Sequence, residues 1–219
     1  MGDRDFQWAV NAVIQVADAL KAKREGIVLW LDEQEEELRR VAERLAADPE
    51  YGNEPFVDIV DQMPINSHPN EPTAWWMRDL AQIRGITIHH TMSHDPVATA
   101  KYLIGKGRPS GEYHFWISVT GECWLCVPLA WGCWHDHTGH KNAHVSIGMA
   151  GSLHKVKPPM AQLQATVRLV RWLMAQFNIP LAQVRGHCDR YSGTICPGWD
   201  VAKWRGQFFT LLEVALAEA

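Results

Sequence analysis

The chain has 219 residues, 47% of them hydrophobic, and a formal net charge of −4, enough for one sizeable domain or one domain with an appendage. No apolar run reaches the roughly 18 residues of a membrane span, and Asp3, Arg4 and Asp5 interrupt any signal-type hydrophobic block, so synthesis in the cytoplasm without membrane insertion is expected. Acidic side chains outnumber basic ones by about two to one over residues 1–78 and are outnumbered over 79–219; so small a basic excess suits an anionic polymer but does not indicate nucleic-acid binding.

Along the chain, Phe6, Val10, Val13, Ala17 and Leu20 recur at helical spacing, and after Gly26 so do Leu29, Trp30, Leu38, Val41 and Leu45, which predicts a helical hairpin over 6–22 and 27–47. From Asp48 to Pro72 the prolines at 49, 55, 64, 69 and 72 break any long element, and the stretch reads as an extended connector. Strands are expected at 86–90, 113–119, 123–127, 146–150 and 183–185, with Thr120-Gly121-Glu122 closing a hairpin. Helices are expected at about 95–105, 160–177 and 200–217, the middle one from the stripe Leu163, Val167, Val170, Met174 and Phe177. The sum is an α/β domain over 79–219, a mixed central sheet flanked by helices, preceded by an N-terminal helical segment and connector over 1–78.

Three short stretches carry the chemistry: Ile86-Thr-Ile-His-His-Thr91, Tyr113-His-Phe115, and His187-Cys-Asp-Arg-Tyr-Ser-Gly-Thr-Ile-Cys-Pro-Gly198. His89, His187 and Cys196 are candidate zinc ligands. Two imidazoles and one thiolate suit a tetrahedral, borderline-soft dication, and three protein ligands leave one position for the water of a hydrolytic metal. His90 follows His89 on the opposite strand face, so it is assigned to packing or hydrogen bonding rather than to the same ion. Five cysteines, an odd number, do not suggest a disulfide framework, and Cys123 and Cys126 read as small buried hydrophobes. The imidazole-dense stretch from Trp134 to His144 fits no standard metal spacing, and His137, His140 and His144 read as polar loop residues.

In order and local context these stretches resemble the zinc-dependent N-acetylmuramoyl-L-alanine amidases, which include phage endolysins and peptidoglycan recognition proteins; the resemblance runs from about Asp79 to about Trp204. It includes Tyr113, the pair Trp134-His135, and Asn142 followed by Ser146-Ile147-Gly148. The resemblance implies Zn²⁺ held by His89, His187 and Cys196, and catalytic roles for Tyr113 and for Thr194. It places His135, Trp134 and Asn142 in the substrate groove, with bacterial peptidoglycan as substrate and partner. Phage members carry a lysine two residues before the cysteine ligand, where this chain has Thr194. A hydroxyl donates a hydrogen bond but brings no positive charge to an oxyanion. The expected activity is hydrolysis of the amide between N-acetylmuramic acid and L-alanine, as an endolysin released to the wall. A muropeptide-recycling amidase and a non-catalytic peptidoglycan-binding protein stand as alternatives. Residues 1–78 match no wall-binding repeat, and self-association through their helices, wall attachment or self-inhibition are the roles expected of them.

Overall fold

The computed structural model describes residues 54–65, 75–108, 112–135, 138–199 and 204–217. The helical hairpin expected over 6–22 and 27–47 lies outside them. Among the described residues eight strands form two sheets: β1 (Val57–Asp58), β2 (Trp75–Met77), β3 (Gly85–His90), β4 (Phe115–Ile117), β5 (Cys123–Leu125), β6 (Trp131–Cys133), β7 (His144–Met149) and β8 (Val184–Gly186). The main sheet has the order β1-β5-β4-β7-β3-β8, and β2 pairs with β6 in a separate ribbon. Only the β4–β5 hairpin is antiparallel within the main sheet, which makes it mixed as expected.

Strand alternation divides the work of the sheet. On one face Ile86, Ile88, Val145, Ile147, Met149, Phe115 and Ile117, each no more than 1% exposed, pack against α2 (Met160–Phe177), which in turn packs on α3 (Trp204–Ala217). Gln162 on α2 donates to the carbonyls of Ile117 and Ala150, both at 3.0 Å, and so ties the helix to the strand ends. The other face carries Thr87, His89, His144, Ser146 and Gly148, with α1 (Pro96–Gly105) beside it. Asp95 caps α1 by accepting from Ala98 N–H at 2.8 Å, and Pro96 occupies its first turn.

Part of the stretch expected as an irregular connector belongs to the sheet. Val57 and Asp58 pair in parallel with Trp124 and Leu125, the Phe56 ring meets Phe115 and Trp172 edge-on at 5.0 and 5.3 Å, and Met63 is buried with Trp116 and Cys126. The β2–β6 ribbon, Trp75–Met77 with Trp131–Cys133, is not among the expected elements. His144, expected in a loop, is instead the fully buried first residue of β7, its ring nitrogen 3.1 Å from the Thr87 hydroxyl. Among the described residues no helix is long and apolar enough to cross a membrane.

Candidate metal centre

His89 points from the polar face of β3, while His90 points to the other side; His187 opens the short turn after β8, and Cys196 follows nine residues later in the same loop. One ligand atom from each of His89, His187 and Cys196 lies within 4.8 Å of the others, and all three residues are buried. Cys196 Sγ stands 3.7 Å from His89 Nδ1. Two ligands of one tetrahedral zinc, at bond lengths of ~2.0–2.1 Å to nitrogen and ~2.3 Å to sulfur, are separated by about 3.6 Å. The spacing therefore fits the group that the donor types suggest.

Protonation states agree with that fit. Burial, and then the neighbouring His135, His187 and His90, push His89 well below the usual imidazole range, so it is neutral and able to ligate. Burial pushes the Cys196 thiol up to about 12, although the His90 N–H, which donates to its sulfur at 3.3 Å, opposes the rise. A cation at the sulfur is what converts it to thiolate near neutral pH.

The loop that presents His187 and Cys196 is fixed by Asp189. Its Oδ2 accepts from Gly186 N–H at 2.8 Å and from the Trp199 indole at 3.0 Å, and its Oδ1 accepts from Arg205 at 2.9 Å. Cys188 N–H donates to the Cys196 carbonyl at 2.6 Å, and Thr194 Oγ1 accepts from Cys196 N–H at 3.1 Å. Thr194 thus shapes the turn that carries Cys196. Reading the sequence passed over Asp189 as a positioning group, although its place two residues after His187 was the available signal.

Tyr113 lies beside the cluster, its ring 5.2 Å from that of His89. In register Gly148 sits between His89 on β3 and Trp116 on β4, and a Cβ there would come within 2.8 Å of the Tyr113 ring. The glycine makes room for the tyrosine. Burial, with Glu112, Cys196 and Cys133 nearby, raises the phenol well above its ordinary value, so it stays protonated.

The three residues expected in the substrate groove are placed differently from one another. His135 is buried, its ring 5.5 Å from that of His89, and burial with His114, His144, Arg78 and His187 nearby keeps it neutral. Trp134 packs edge-on against Trp76 at 5.5 Å, and Asn142 Oδ1 accepts from the Trp76 indole at 2.8 Å. Trp76 therefore joins two of them, from the ribbon that the sequence reading missed. His137 and the side chain of His140 lie outside the described residues. Behind His135, Arg78 donates to the Leu129 and His144 carbonyls at 2.9 and 2.6 Å and stands 2.9 Å from His114 Nε2, a buried network with no signal in the sequence. Cys123 and Cys126 are buried, at 7% and 2% exposure, and Cys126 packs in the cluster around Trp116.

Comparison with known proteins places this geometry. The fold is similar to that of N-acetylmuramoyl-L-alanine amidase LysC from Clostridium intestinale URNW, at 20% identity and a TM-score of 0.52, over 68% of this chain and 93% of that one. It is also similar to PGRP-SA of Apis mellifera, at 15% identity and a TM-score of 0.55, over 69% and 94%. A further likeness is to peptidoglycan recognition protein-LE in complex with tracheal cytotoxin, at 16% identity and a TM-score of 0.53, over 68% and 90%. No curated protein matches the sequence significantly. The family model described as N-acetylmuramoyl-L-alanine amidase matches residues 79–199, the stretch that contains the whole buried cluster of two histidines and a cysteine, and the chain belongs to that family.

Proposed function

We propose that the protein is a zinc-dependent hydrolase of the amide between N-acetylmuramic acid and L-alanine of bacterial peptidoglycan, acting as a phage or prophage endolysin. The observation that carries this reading is the convergence of three buried ligand atoms within 4.8 Å inside the family-matched stretch.

His89, His187 and Cys196 would hold the ion, which when bound supplies Lewis acidity to the amide carbonyl and to water. The protein's own groups complete the chemistry. Tyr113 keeps its phenolic proton and donates a hydrogen bond to the oxygen on which charge gathers as the carbonyl is attacked, a contact that speeds the reaction to the extent that it strengthens in the transition state. Thr194 spends an oxygen lone pair on Cys196 N–H and retains its own O–H for donation toward the same region. His135 presents a neutral imidazole beside His89 and, with Trp134 and Asn142, forms the side that receives the muramyl peptide.

One observation favours a second reading. Thr194 stands where phage-type relatives carry a lysine, and the fold is shared with recognition proteins, so a peptidoglycan-binding protein without turnover is the rival. Retention of all three metal-binding side chains argues for the enzyme. Incubating zinc-loaded protein with purified sacculi separates the readings by mass spectrometry: the enzyme releases stem peptides with a free L-alanine amino terminus. Binding to sacculi with no such release would reject turnover. Soluble muropeptides in place of sacculi test the recycling alternative. Cys196→Ser should lose zinc and hydrolysis together, because a hydroxyl replaces a thiolate poorly.

A further inference from the structure

We propose that Cys188 is an oxidative modification site whose partner is Cys196, so that a disulfide between them withdraws the thiolate from the metal cluster. The inference rests on the metal-binding reading of His89, His187 and Cys196. Its own basis is backbone geometry. Cys188 N–H donates to the Cys196 carbonyl at 2.6 Å, and with standard backbone bond lengths that single contact holds the two Cα atoms to no more than about 6.8 Å apart. A disulfide spans Cα separations of about 4.4–6.8 Å. The loop that brings the pair together is held at both ends by Asp189, through Gly186 N–H and the Trp199 indole, so the approach is built in.

Access selects Cys188 as the thiol that meets the oxidant, while Cys196 is buried at 8% exposure and is reached through Cys188. Cys188 is half-buried, whereas Cys123, Cys126 and Cys133 are 7%, 2% and 0% exposed and sit in the core. No cysteine is in a disulfide, and the hydrolytic reaction assigns Cys188 no role.

The oxidant is a peroxide. The Cys188 thiolate attacks one peroxide oxygen, the O–O bond breaks, and the other oxygen leaves as hydroxide that takes a proton to become water; Cys188 is then a sulfenic acid. The sulfur of Cys196 attacks the Cys188 sulfur, the S–S bond forms, and the S–O bond breaks with loss of a second hydroxide, which is protonated to water. Two thiols have given up two electrons and one peroxide has become two waters. The electron pair that Cys196 offered to the metal now lies in the S–S bond, which leaves two histidines as the donor set, too few for a stable zinc site.

The test uses full-length, zinc-loaded protein titrated with hydrogen peroxide, with zinc release followed by a chromogenic chelator and linkages by peptide mass mapping. The expected result is a peptide joining Cys188 to Cys196, formed in step with zinc release and reversed by dithiothreitol and added zinc. Cys188→Ser should keep its zinc and its hydrolysis before treatment and should resist peroxide doses that empty the parent; Cys188→Ala should behave alike, which separates the thiol from any effect of serine on the turn. Zinc loss without the linkage, or equal dose dependence in the parent and both variants, would overturn the proposal. A parent that holds no zinc before any peroxide is added overturns the metal reading instead, at the first measurement.

Discussion

At the scale of single residues the site depends on one missing side chain. A Cβ at Gly148 would meet the Tyr113 ring at 2.8 Å and Thr91 Cγ2 at 2.7 Å, so Gly148→Ala should push Tyr113 away from His89 and cost about 1–3 kcal/mol of stability. Tyr113→Phe keeps the ring and removes only the hydroxyl. It should retain zinc and thermal stability while turnover falls on the order of 10²-fold, the usual loss for an oxyanion-type donor; equal kcat/KM on soluble muropeptide in parent and Phe variant would make Tyr113 structural. The thiol of Cys196 leads to a pH prediction. With its pKa pushed up to about 12 and that of His89 well below the imidazole range, Cys196 brings a proton that zinc would have to displace through the neutral range and His89 brings none. The sign follows: affinity rises with pH, by about tenfold per pH unit, because raising pH removes the competing proton and the neutral imidazole contributes none. Chelator competition at several pH values measures the slope, and a flat profile would mean that Cys196 is not a ligand.

At the scale of elements, the loop from Gly186 to Trp199 holds two of the three residues proposed to bind the metal and has little regular structure, so its shape depends on Asp189. Asp189→Ala leaves Gly186 N–H and the Trp199 indole without their acceptor and releases Arg205. Loss of such a supporting group commonly weakens metal binding 10–100-fold, so the variant should bind zinc more weakly by roughly that factor while His89, His187 and Cys196 remain; unchanged affinity would show that the loop is held by other means. The sequence made the long and chemically distinctive parts of this arrangement legible: β3, β7 and α2 carry clear periods, and His89, His187 and Cys196 stand out by ligand type. It hid the rest for physical reasons. β1, β2 and β6 are two or three residues long, too short to establish a two-residue alternation. His144 sits in a histidine-dense stretch that composition reads as a polar loop, yet Thr87 and the Arg78–carbonyl contact give it buried partners that lie 57 and 66 residues away.

At the scale of the whole molecule, the question is where the catalytic unit begins. The sequence puts the boundary at residues 78 and 79, because prolines dominate the preceding stretch and every candidate site residue follows it. Phe56 meets two rings of the core, Val57 and Asp58 add the outer strand, and Met63 is buried against Trp116, so the packing of residues 56–63 belongs with the sheet. Removing them exposes the β5 edge and part of the apolar cluster around Trp116, and because Phe56 is half-buried its loss should cost less than the roughly 3 kcal/mol of a fully buried phenylalanine. A chain beginning near Glu54 keeps every described element and should fold, bind zinc and cleave soluble muropeptide. One beginning near Glu71 should unfold at lower temperature and aggregate more readily, with the difference read by thermal melts and light scattering. Loss of residues 1–53 should alter self-association or affinity for intact sacculi. If the chain from Glu54 binds zinc and is as stable as the parent yet cannot cleave even a soluble substrate, the N-terminal residues complete the active site, and the division into an accessory segment and a catalytic domain is wrong.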